Sequence, residues 1–181
     1  MKLQFSLSFE NYYEYNRICS KLKIGKGLRS IFNTGVCMLV AGAVGAAAYF
    51  IKLSVEPLLL YVGVAAAVIG IYMVLYSRLL FKRKLKKQVQ KKFEAEDYFK
   101  TERTVEIFDD CLLDYSENDE YRAGYSEDLR EFIETQNLFV VMVYDRRGII
   151  IPKSAADTPE LRALLKRIAV ENDARYRYIK E

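Results

Sequence analysis

The run "IFNTGVCMLVAGAVGAAAYFI", Ile31 to Ile51, contains no Asp, Glu, Lys or Arg, and "LLLYVGVAAAVIGIYMVLYS", Leu58 to Ser77, is equally free of charge. A helix needs about 20 predominantly apolar residues to cross ~30 Å of hydrocarbon, and each run meets that length. The link "KLSVEP", Lys52 to Pro57, leaves room only for a tight turn. The sequence therefore predicts a hairpin of two transmembrane helices. Pro57 suits the first turn of the second, where its missing N–H costs nothing. A cleaved secretory signal fits less well: the lead before Ile31 is too long, the apolar run exceeds the usual ~7 to 15 residues, and a second run follows at once.

Outward from these runs, charge is strongly sorted. The chain holds 28 basic and 24 acidic residues in 181, for a net charge of +4. Counted along the sequence, Met1 to Lys92 carries 15 basic and 3 acidic residues, and Phe93 to Glu181 carries 13 and 21. A basic anchor thus precedes an acidic domain. That balance argues against nucleic acid as a partner of the domain, because phosphate binding needs a basic face.

Basic residues also orient the hairpin. Arg17, Lys21, Lys23, Lys26 and Arg29 stand before the first run, and Arg78, Lys82, Arg83, Lys84, Lys86, Lys87, Lys91 and Lys92 after the second, while the link holds only Lys52. By the positive-inside bias both ends are cytoplasmic and the link is external. The stretch "FKRKLKKQVQKKF", Phe81 to Phe93, is then a stop-transfer flank. Its apolar Phe81, Leu85, Val89 and Phe93 recur every fourth position, so the second membrane helix should continue outward with one apolar stripe. Lys82, Arg83, Lys84, Lys86, Lys87, Lys91 and Lys92 are the candidate membrane-surface residues. They either set topology alone or also bind anionic lipid, worth up to ~1 kcal/mol for each basic side chain near the surface.

Inside the runs, Ala41 and Gly45, Gly42 and Ala46, and Gly63 and Ala67 lie four apart. Small residues at this spacing let helices approach closely, either within the hairpin or in a homo-oligomer. With no charged residue inside either run there is no intramembrane ion pair or proton relay to propose.

The opening "MKLQFSLSFE" alternates apolar Leu3, Phe5, Leu7 and Phe9 with polar residues, the pattern of a strand with one buried face. "NYYEYNRICSKLKIGKGLR" reads as an amphipathic helix with Tyr12, Tyr15, Cys19, Leu22 and Leu28 roughly on one side. A lone strand is not stable, so the first strand is expected to join the C-terminal sheet. After Phe93, "RTVEIFDD", "CLLDYS", a short strand in "ENDEYRAGYS", "LREFIET", "LFVVMVY" and "IIIPK" read as strands. The last element is a helix capped by Thr158, opened by Pro159, with Leu161, Leu164, Leu165 and Ile168 on its apolar face. The domains expected are thus 1–30 (N-terminal strand and amphipathic helix), 31–51 (first span), 52–57 (external turn), 58–77 (second span), 78–93 (basic juxtamembrane helix) and 94–181. The last is a small α+β domain, an antiparallel sheet or barrel closed by the C-terminal helix.

Catalysis finds little footing. There is no His, which removes Ser-His and Cys-His nucleophile pairs and the commonest proton shuttle. Cys19, Cys37 and Cys111 form no CxxC pair, as expected in a reducing compartment without a disulfide framework or zinc site. Asp109 with Asp110, and Glu127 with Asp128, are acid pairs in polar turns. No glycine-rich phosphate loop and no GxSxG is present. The reading is a non-enzyme without cofactor or metal.

The arrangement resembles the YcxB-like family of bacterial membrane proteins over nearly the whole chain. The resemblance lies in the "MKLQFSLSFENYYEYN" opening, the two adjacent spans, and the strand series from about Thr104 into "IIIPKSA" and the terminal helix to Ile168. Where members commonly have an aromatic and Ser, often with Trp, this chain has Tyr125 and Ser126 in "GYSEDL" and no Trp. The resemblance implies a pleckstrin-homology-like (PH-like) C-terminal domain on a two-helix anchor and carries over no catalytic residue. The function expected is that of an interaction or regulatory protein with a protein partner at the cytoplasmic face of the cell membrane. Arg146, Arg147 and Lys153 are the candidate interaction residues near the "DRRG" turn. Anionic-lipid sensing and immunity against a toxin are the alternatives.

Overall fold

The structure, a computed structural model, describes residues 1–50, 57–96, 101–117, 119–144, 148–156 and 159–180. Of the expected external turn only Pro57 is described, as the first residue of a helix; residues 52–56 and the Thr158 cap fall outside this set. The chain divides into two compact units, Met1–Asn16 with Val89–Glu181, and Arg17–Gln88.

The first unit is α+β, with two four-stranded sheets. Strand β1 (Lys2–Ser6) pairs antiparallel with β2 (Glu102–Ile107), Leu3 opposite Val105 and Phe5 opposite Arg103. β3 (Cys111–Ser116) and β4 (Asp119–Gly124) complete that sheet in the order β1-β2-β3-β4. The alternation read in the opening residues is therefore real: Leu3 and Phe5 are buried while Lys2, Gln4 and Ser6 are exposed. The second sheet has the order β7-β6-β5-β8, with β5 at Leu129–Glu134, β6 at Leu138–Val143, β7 at Gly148–Pro152 and β8 at Arg175–Tyr178. All six residues of β6 are buried, because its sequence "LFVVMV" is apolar on both faces. Neither sheet closes into a barrel among the described residues.

Helix α1 runs Phe9–Phe50 without a break, so the expected amphipathic helix and first span are one element. Ser8 opens it, its Oγ accepting the Asn11 N–H at 3.2 Å, which satisfies one of the donors every helix start leaves free. The first turns of α1 belong to the α+β unit. Glu14 accepts the Thr135 hydroxyl at 2.6 Å and Asn137 Nδ2 at 3.0 Å. Gly148 lies against the Tyr15 ring so closely that a Cβ there would collide with it.

Helix α2 spans Pro57–Leu75, a π-helical turn covers Tyr76–Leu80, and α3 spans Phe81–Ala95. Two short helices, α4 (Tyr125–Asp128) and α5 (Lys153–Ala156), precede α6 (Pro159–Glu171), which packs on β5 and β8 with Leu161, Leu165, Ile168 and Ala169 buried.

Two expectations are corrected. The chain does not end in a helix: Asp173 takes a φ of 50°, Ala174 N–H closes back on the Ala169 carbonyl at 2.8 Å, and β8 follows, parallel to β5. Asp tolerates the left-handed region better than most residues, and it stops α6 there. The "GYSEDL" segment forms α4 rather than a plain turn, anchored by buried Tyr125, whose hydroxyl donates to the Phe108 carbonyl at 3.2 Å.

In the second unit the two apolar helices lie antiparallel. A Cβ at Gly42 would sit 2.5 Å from the Gly63 carbonyl oxygen, and one at Gly70 would sit 2.7 Å from that of Gly35. The two pairs occur in opposite order along the helices. The small residues thus pack the hairpin against itself. Both helices are long and apolar enough to span a bilayer, with mean hydropathy 1.8 for the first and 2.0 for the second over their best windows.

Candidate functional site

The basic segment forms a regular helix because Lys, Arg, Gln and Leu are good helix formers and no Gly or Pro interrupts them. Lys82, Arg83, Lys84, Lys86, Lys87, Lys91 and Lys92 are all exposed on α3. Among the described residues none of them forms an ion pair, so their charge is available to an outside partner. The apolar stripe is placed as expected. Phe81, Leu85 and Phe93 are half-buried and Val89 is buried. Within the α+β unit the Phe93 ring lies 5.9 Å from that of Phe9 and 6.1 Å from that of Tyr12.

Just before α3, the π turn inserts one residue into the helical column without breaking it, which re-phases the faces on either side. Ser77 Oγ donates to the Val74 carbonyl at 3.0 Å, and the Arg78 guanidinium stacks 4.6 Å over the Phe32 ring. Arg78 is thereby fixed against the hairpin, unlike the seven bases that follow.

Of the other candidate residues, Arg146 and Arg147 lie outside the described residues. Lys153 is placed at the start of α5, where its Nζ meets Glu134 Oε1 at 2.7 Å and lies 4.9 Å over the Phe139 ring. It belongs to a buried polar cluster that sequence reading missed. Glu134 Oε1 also accepts from Arg162 Nε at 2.9 Å, and Oε2 accepts the Tyr176 hydroxyl at 2.6 Å. Burial alone would push the Glu134 pKa up. Hydrogen bonds from Lys153, Tyr176 and Arg162 outweigh it and hold the carboxyl below the usual carboxylate range. Burial and donation to Glu134 push the Tyr176 phenol up. The cluster ties β5, α5, α6 and β8 together, and each carboxylate oxygen already has a donor. The one signal in the sequence was an acid set in the otherwise core-forming "LREFIET".

A second buried pair lies in the first sheet. Arg103 donates to both oxygens of Asp114, from Nε at 3.1 Å and from Nη2, and the two residues are only 4% and 5% exposed. The acid pairs are differently placed. Asp109 and Asp110 sit exposed in the β2–β3 turn, while Asp128 of α4 accepts the Gly124 N–H at 2.9 Å and Glu127 points to solvent. Among the described residues no three of Cys, Asp and Glu gather into a metal-holding group. Cys19 is half-buried, Cys37 exposed and Cys111 buried, and none of them is joined in a disulfide.

Comparison with protein-family models, curated proteins and solved structures finds no match.

Proposed function

We propose that this chain is a membrane-anchored, non-enzymatic interaction or regulatory protein of the YcxB-like kind. It holds a PH-like α+β unit at the cytoplasmic face of the cell membrane for a protein partner. The observation that carries the reading is the pairing of β1 with β2. One strand precedes both apolar helices and the other follows both, so the two flanks of the hairpin lie on one side of any membrane it spans. The basic flanks then favour the cytoplasmic side. Two sheets with α6 packed on one of them support the PH-like reading of the unit. The edge strand β4, with only Ala123 buried, is a surface a partner's extended segment can extend by strand addition.

Anionic-lipid sensing is a second reading, and one observation favours it: seven exposed bases on one short helix, none of them in an ion pair among the described residues. Native mass spectrometry of the intact protein, extracted from its host in mild detergent, separates the two. A reproducibly bound protein supports the interaction reading. Retained anionic lipid without any protein transfers the assignment to lipid sensing.

A further inference from the structure

A second polar feature lies on α1, on the side opposite its glycine contacts with α2. Lys26, Arg29, Ser30, Asn33, Thr34 and Cys37 line an open groove of about 480 Å³. Their spacing of three and four residues puts them on one face of the helix. That face points away from α2, since the opposite side carries Gly35, where a Cβ would lie 2.9 Å from the Met73 side chain and 3.0 Å from the Gly70 carbonyl oxygen. All six lining residues are exposed, and among the described residues none of their side chains has a hydrogen-bond or ionic partner.

The depth of the groove matters. Arg29 is the last charge before the apolar run, and Asn33 lies four residues, or about 6 Å, further along the axis. An amide and a hydroxyl at that level are costly to leave facing hydrocarbon. Cations at the rim, with hydroxyl and amide groups one turn below, match the layering of a phospholipid: phosphate outermost, ester carbonyls beneath. Between Arg17 and Gln88 the sequence has twelve basic residues and one acid, Glu56. A second copy of the chain seated on this face would bring like charges together. An anion is the complementary occupant.

We propose that this face of α1 is a binding site for one anionic phospholipid of the leaflet that the basic flanks face. Lys26 and Arg29 hold its phosphate, and Ser30, Asn33 and Thr34 donate to its phosphate or ester oxygens. This rests on the reading of the hairpin as membrane-spanning and adds a discrete site to the diffuse attraction of α3.

The test uses the full-length chain. Carbonate-washed membranes come first: a chain released by the wash overturns the membrane reading itself. With the chain retained, purified protein in detergent is titrated with phosphatidylglycerol and, separately, phosphatidylcholine, and bound lipid is counted by native mass spectrometry. We expect one phosphatidylglycerol held in preference to phosphatidylcholine. The exposed double variant K26Q/R29Q should weaken that binding about thirtyfold, from about 1 kcal/mol for each cation near the surface. N33L/T34V, which keeps both charges, should weaken it about thirtyfold as well, from two neutral hydrogen bonds of about 1 kcal/mol each. K82Q/R83Q/K84Q on α3 should leave the single tight lipid in place. Unchanged binding in K26Q/R29Q, or loss only in the α3 variant, overturns the site. So does a lipid-free dimer that N33L/T34V dissociates, because a second copy is then the occupant.

Discussion

The Thr135 hydroxyl donates to Glu14 Oε1 at 2.6 Å, joining the second turn of α1 to the β5–β6 turn across 121 residues of chain. Thr135 is fully buried and Glu14 nearly so, so the bond is shielded from water. Hydrogen bonds to charged groups contribute roughly 1.5–3 kcal/mol. Glu14→Ala should destabilise the α+β unit by about that amount, seen as a lower urea midpoint for proteolysis of the unit. A double-mutant cycle with Thr135→Val isolates the pair. Additive effects of the two changes would show that the bond carries no coupling energy.

Removing Met1 to Ser8 takes away β1 and with it Leu3, Phe5 and Leu7, all at most 8% exposed. At roughly 1.5–3 kcal/mol for each buried side chain, the loss rivals the ~5–15 kcal/mol that holds a typical domain. It also bares the edge of β2. The truncated protein should lose protease resistance from Val89 onward while its apolar helices still fractionate with membranes. Unchanged resistance would mean that the sheet is complete without β1.

Asp114→Asn leaves the Arg103 guanidinium buried against a neutral amide. Breaking a buried ion pair from one side costs roughly 3–5 kcal/mol, whereas replacing both partners with apolar groups is often neutral. Asp114→Asn should therefore be severe and the Arg103→Met/Asp114→Leu double variant mild, by thermal melting followed in the far ultraviolet. Equal damage from both would show that packing shape, not charge, dominates there.

Acid should loosen the α+β unit through Glu134. Its folded-state pKa is depressed, so its contribution is fully present above the unfolded value of about 4.3 and is lost as pH falls through the lower folded value. Stability measured between neutrality and about pH 3 should decline at the acid end, and Glu134→Gln should flatten the decline while lowering stability at neutral pH. A decline unaltered by that change would assign the acid sensitivity to other carboxyls.

Gly42→Val should separate the hairpin. The nearest backbone atoms of α2 are too close for any side chain, and overpacking of this kind costs roughly 1–3 kcal/mol. In detergent the variant should melt at a lower temperature, followed by far-ultraviolet circular dichroism. An unchanged melt would place the close approach elsewhere.

How much of this was legible follows from what kind of pattern each element carries. The hairpin shows as two charge-free runs, and β1 shows as a strict alternation of Leu3, Phe5 and Leu7 that demands a distant partner. Helix α6 announces itself with Pro159 and an apolar stripe. By contrast, β8 reads "RYRY", alternating charge with aromatics and offering no apolar face, because its place is set by pairing with β5 and by the Glu131 and Glu134 carboxylates beside it. The Glu134 cluster was equally hidden: Lys153, Arg162 and Tyr176 come from three separate elements, and only the tertiary fold brings them to one oxygen pair. Gly42 and Gly63 were visible in the spacing of small residues, whereas Gly35 and Gly70 were not, and which small residues faced the partner helix was decided by the helices' relative rotation.

The pairing of β1 with β2 also sets a timetable for biosynthesis. The Met1 ammonium bonds to the Ile107 carbonyl, 106 residues away, so the first strand leaves the ribosome long before its neighbour exists. At roughly 5–20 residues per second it waits about 5 to 20 s, while both apolar helices are made. During that wait an amphipathic edge is open to chaperones and to the strands of other nascent chains. Slower synthesis of the two apolar helices should therefore lengthen the exposure of this edge and raise the share of nascent chains that mispair.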